Sequence, residues 1–121
     1  MTIAYWIVAG LVALAFLAAG SFKLTQSKEQ LKSKGMAWTD ESSANAVKGI
    51  GAVEVLGAIA LIAAPLTDIA PVLAPIAAVG LTLTMVLAAR MHSRRSEPII
   101  PTVVLGLLAL AAAVLGFLVW V

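Results

Sequence analysis

The sequence predicts an all-α fold, an integral membrane four-helix bundle with both termini extracytoplasmic, and three observations carry that prediction. Of 121 residues, 62% are hydrophobic and 12% charged, with a mean hydropathy of +1.07, whereas a soluble domain has only about half its residues apolar. Four mostly apolar runs, at about residues 3–22, 47–64, 69–91 and 99–121, are each long enough to cross a ~30 Å hydrocarbon layer at ~1.5 Å of helix per residue. None shows the alternation of a barrel strand, so the backbone must satisfy its own amides as helix. Finally, Lys23, Lys28, Lys32, Lys34 and Lys48 fill or flank the first connection, Arg90, Arg94 and Arg95 the third, and the second has only Asp68. That split places both basic connections in the cytoplasm and both ends of the chain outside. The whole chain, residues 1–121, reads as a single domain.

The first run, Ile3 to Phe22, could pass for a secretory signal, but no positive charge precedes it and Lys23 follows it, so it reads as a retained helix. The first connection is the longest. In it Ser27 with Gln30 three residues on forms a capping-box pattern and Gly35 offers a stop, which predicts a short helix at the membrane surface. Trp38 is placed at headgroup level, and Thr39, Asp40 and Glu41 suit the cap and first turn of the second long helix. The turn at Pro65 and the prolines at Pro71 and Pro75 suit a tight external hairpin and a first-turn proline, with some bending deeper in the third helix, begun near Ile69. In the fourth, Gly106, Ala109, Ala113 and Gly116 share one face, smooth enough for close helix packing within the bundle or against another chain.

Few side chains can carry chemistry. There is no cysteine, and the single histidine, His92, cannot make a metal site alone. Phosphate loops, nucleophile elbows and paired catalytic carboxylates are missing, so the sequence predicts no catalytic site, no metal and no activity of its own. The basic residues lack the aromatic interleaving of a nucleic-acid interface, and membrane topology accounts for them.

The anomaly is Glu54, a carboxylate within GIGAVEVLGAIAL. Counted from Val47 it lies roughly 10 Å into the hydrocarbon, where a charge costs about 2.5–3.5 kcal/mol at a helix centre. Ile50, Gly51, Gly57 and Ala58 surround it at helical spacing, so its face is mostly small residues, Gly51 and Gly57 among them, and should pack inward. Lys48 lies well round the helix, whereas Lys23, Arg90 and His92 close helices at the same end. The predicted buried polar cluster is therefore Glu54 with Lys23 and Arg90 or His92. Three roles stay open: a structural ion pair, a proton or ligand site, or a protonated, hydrogen-bonded Glu54.

AGSFKL at residues 19–24, GIGAVEVLGAIALI at 49–62 with Pro65, and AARMH at 88–92 resemble, in order and spacing, the three landmarks of DoxX and DoxX-like membrane proteins. The resemblance implies a four-helix protein of the bacterial cytoplasmic (inner) membrane, with Lys23, Glu54 and His92 on matching positions. It also implies kinship with small subunits of quinone-linked oxidoreductases or of membrane redox-defence complexes. The expected function is thus an accessory or assembly subunit beside a larger membrane complex or in a homo-oligomer, in contact with membrane lipids and able to hold a quinone or lipid. The alternatives are a lipid or quinone carrier and a small proton-coupled transporter. Small multidrug transporters carry their glutamate in the first helix and often show weak charge bias, and the sequence departs from both features.

Overall fold

The computed structural model describes residues 1–33 and 44–121. They form α1 (Thr2–Thr25), α2 (Lys28–Ser33), α3 (Ala44–Thr67), α4 (Leu73–Arg94) and α5 (Ile100–Trp120), with no strand among the described residues. The four long helices each have the length and hydropathy to cross a membrane. Their outer faces carry Ile7, Leu14, Leu56, Leu83, Leu107 and many other exposed aliphatic side chains. In water such a surface would drive aggregation; in hydrocarbon it costs nothing.

The helices close a ring in which α1 packs against α3 and α5, and α4 packs against α3 and α5. The core runs through the centre on small and medium side chains, including Val12, Phe16, Ala58, Leu61, Ala78, Leu81, Ala109 and Ala113. Alanine dominates because, without a hydrophobic drive between helices in lipid, close backbone approach supplies the attraction. The small-residue face of α5 is used this way: Ala109, Ala113 and Gly116 are buried, and a Cβ on Gly116 would stand 3.0 Å from Pro75 Cβ. Gly106 faces Met85 at 3.3 Å by the same measure.

Two boundaries differ from the sequence reading, each for a local reason. The third long helix starts at Leu73 and not near Ile69. Ala70 precedes Pro71, a position where the α conformation is sterically disfavoured, and both Asp68 and Ala70 take positive φ, 55° and 48°. Pro75 then falls in the first turn of α4, where a missing N–H is harmless. In contrast, α3 runs through Pro65 to Thr67 instead of turning there. Pro65 cannot donate to the carbonyl of Leu61 four residues back. The Tyr5 hydroxyl donates to that oxygen instead, at 2.6 Å, from α1. Tyr5 is fully buried and meets Trp6 and Trp120 edge-on at 5.4 Å each, so an aromatic cluster ties α1, α3 and α5 together at this end.

At the opposite end the predicted capping box forms. Ser27 N–H donates to Gln30 Oε1 at 2.9 Å and Gln30 N–H to Ser27 Oγ at 3.2 Å, starting α2. Leu31 of α2 is buried on Val47, which seats this helix against α3. The expectations for Gly35, Trp38, Thr39, Asp40 and Glu41 lie outside the described residues.

Candidate functional site

Glu54 is 1% exposed and accepts a hydrogen bond on Oε1 from Lys23 Nζ, in a buried ion pair between α3 and α1. Backbone contact sets up the pair. A Cβ on Gly20 would come within 2.7 Å of the Gly51 carbonyl oxygen, and one on Gly51 within 2.8 Å of Gly20 O and of Lys23 Cβ. Only glycine at both positions lets the two helices touch here. Because Gly51 stands beside Gly20 and Lys23, Glu54 is level with the last two turns of α1. Glu54 is itself ten residues into α3, which begins at Ala44 and overhangs α1. One turn further on, Gly57 packs on Leu81 of α4, with 3.0 Å from a Cβ to Leu81 Cδ2.

The other candidates separate. Arg90 is exposed on α4. His92, two residues on and about 200° round the helix, is half-buried, and its Nδ1 lies 3.0 Å from Glu97 Oε1. The same oxygen accepts from Arg95 Nε at 3.1 Å. The partner of His92 is thus Glu97, in the α4–α5 connection, and Lys23 is the partner of Glu54. The hydrogen bond from His92, and after it the charge of Arg95, hold Glu97 below the usual carboxylate range. Sequence reasoning passed over Glu97 because a charge in a polar connection is unremarkable. The signal that could have found it is its place two residues after Arg95 and next to Pro98, which keeps the connection short.

The Lys23–Glu54 and His92–Glu97 pairs both line one cleft of about 990 Å³ at the basic end of the bundle. Lys23 and Glu54 stand on the wall made by α1 and α3, His92 and Glu97 on the wall made by α4 and its connection to α5. The rest of the lining is mostly apolar, with Phe16, Val53, Met85 and Leu105. Among the described residues no three His, Asp or Glu side chains gather to hold a metal ion. What the arrangement offers is a mostly apolar cavity with a few hydrogen-bonding groups in its walls, the usual build of a small-molecule site.

No characterised protein and no solved structure matches the chain. The model of the DoxX-like family matches residues 7–116, a span that takes in α1 with Lys23, α3 with Glu54, α4 with His92 and most of α5. With four helices that can span a membrane and a family match over nearly its full length, this multi-pass membrane protein belongs to the DoxX-like family.

Proposed function

We propose that the chain is an accessory or assembly subunit of a quinone-linked oxidoreductase complex in the bacterial cytoplasmic membrane, with its basic end in the cytoplasm. The cleft carries this reading. Its carboxylates are engaged with Lys23, His92 and Arg95, and the rest of its lining is mostly apolar. Such a site can hold an amphiphile while another protein does the chemistry. Family membership supports the membrane setting, and the resemblance of the three landmark motifs supplies the redox context. The same cleft favours, as second reading, a carrier that holds a quinone or lipid without a permanent partner.

The test is deletion of the chain from its host. A neighbouring quinone-linked activity or the assembly of its complex should fall and return with the wild-type chain, and the chain should co-purify with that complex in mild detergent. Unchanged quinone-linked activities and recovery of the chain alone would favour the carrier. A proton flux in liposomes holding only this protein, abolished by Glu54→Gln, would reject both in favour of a transporter. Orientation is checked separately: single cysteines at Ser33 and Ser96, both exposed, should be shielded from an impermeant external thiol reagent in intact cells, and one at Thr67 should react.

A further inference from the structure

His92 spends one ring nitrogen and keeps the other. Its Nδ1 lies 3.0 Å from Glu97 Oε1, an oxygen that also accepts from Arg95 Nε at 3.1 Å. The bond from His92, and after it the charge of Arg95, keep Glu97 ionised. An ionised carboxylate only accepts, so the hydrogen of the neutral imidazole sits on Nδ1 and Nε2 is a bare lone pair. Nε2 has no hydrogen-bond partner among the described residues and is not buried; the side chain is 19% exposed and lines the cleft.

The other polar side chains of the cleft turn their donors elsewhere. Lys23 gives its ammonium to Glu54, and both are nearly closed to solvent. Thr84 Oγ1 donates to Gly80 O at 2.9 Å and Thr102 Oγ1 to Ile99 O at 2.7 Å. Around His92 the lining is apolar and within reach. Ala88 lies one turn back on the same face of α4, and because Gly106 of α5 stands against Met85, Pro101 comes level with the turn between Ala88 and His92. Pro101 is exposed, and Ala88 and Leu105 are half-buried. Water can satisfy the lone pair, but a donor on an apolar body does so while also covering this lining, which adds the gain of burial. A carboxylate behind an imidazole makes Nε2 more basic and stabilises its charged form, so the bond is strongest with an acidic donor.

We infer that His92 is the recognition residue of the cleft, its Nε2 accepting the weakly acidic hydroxyl of a phenol-type ring, with Glu97 as the positioning residue that fixes the tautomer. Reduced quinones belong to this class of ligand. The inference deepens the proposed function and rests on it for biological context alone, because binding is measured on the purified chain.

The chain has one histidine, so its imidazole can be followed singly by nitrogen NMR in isotope-labelled full-length protein in detergent micelles. At a pH where the ring is neutral, the hydrogen should be found on Nδ1. The probes are para-hexylphenol, para-hexylcyclohexanol and para-hexylanisole, which share a body and differ in the head. The phenol should bind about two- to tenfold more tightly than the anisole, the worth of one hydrogen bond, with the cyclohexanol between them. The phenol should move the Nε2 resonance and the anisole should not. His92→Asn separates this role from a structural one, since its amide N–H replaces Nδ1–H toward Glu97 but puts nothing at the place of Nε2. That variant should melt near the wild type and bind the probes alike. Glu97→Gln should release the tautomer and narrow the preference for the phenol. In the wild type, hydrogen on Nε2, equal affinity for the phenol and either of the other probes, or no binding of the phenol overturns the inference, as does a preference retained in His92→Asn. Loss of a neighbouring activity on deletion, with phenol and anisole bound alike, would keep the accessory role and reject this inference; the reverse pair of results would do the opposite.

Discussion

Gly20 and Gly51 meet backbone to backbone: a Cβ on the first would lie 2.7 Å from the carbonyl oxygen of the second, too close for any real side chain. The contact decides how near α1 and α3 can come, and hence whether Lys23 reaches Glu54.

Gly51→Ala should therefore destabilise the protein by about 1–3 kcal/mol, the usual cost of overpacking. Gly10→Ala serves as the contrast, because a Cβ there meets nothing within 4 Å; it should be neutral or stabilising by up to about 1 kcal/mol through helix propensity. Melting in detergent measures both, and equal effects would mean that the contact does not hold the helices.

The ion pair predicts a non-additive pattern. Lys23→Met or Glu54→Leu alone leaves a buried charge without its partner and should cost about 3–5 kcal/mol, while the double variant should recover much of the loss. Glu54→Gln, which keeps a hydrogen-bond acceptor, should be milder than Glu54→Leu. Additive losses across the cycle would remove the case for a structural pair.

At the other end, Tyr5→Phe takes the donor from Leu61 O, whose helical partner is already missing at Pro65. An unsatisfied buried carbonyl costs about 1–3 kcal/mol. Pro65→Ala restores an N–H four residues on, so Tyr5→Phe should be less damaging in that background. A Tyr5→Phe effect that is the same in both backgrounds would show that the hydroxyl has some other role.

Acid should act on the α4–α5 connection. Glu97 has a carboxyl held below its ordinary value of 4.5, so its contribution is full above that value and fades as the pH falls through the lowered one. The melting temperature of Glu97→Gln should lie below wild type at neutral pH, with the gap closing as the pH falls below 4.5. A gap that persists in strong acid would place the effect elsewhere.

The membrane helices were readable from local composition because hydropathy is a property of each run by itself. What escaped was set by partners distant in sequence. Pro65 reads as a turn until Tyr5, 56 positions from Leu61, is known to cover the orphaned carbonyl. Arg90 and His92 share a depth, which the sequence gives, but differ in rotation relative to the other helices, which only packing fixes; one is exposed and the other turned to Glu97. Glu54 and Lys23 were recognisable as partners because a buried carboxylate restricts the choice to cations at its own end.

Both members of that pair belong to the first half of the chain. A protein entering the membrane from its N-terminus completes α1 and α3 before α4 and α5 exist. Lys23 can thus neutralise Glu54 during synthesis, and the translocation machinery never has to release α3 to lipid with a bare carboxylate. The second hairpin, likewise, brings His92, Arg95 and Glu97 on one continuous stretch. Each hairpin leaves the ribosome with its cleft carboxylate and a cation to meet it on the same stretch, which suits independent insertion followed by docking of two finished halves.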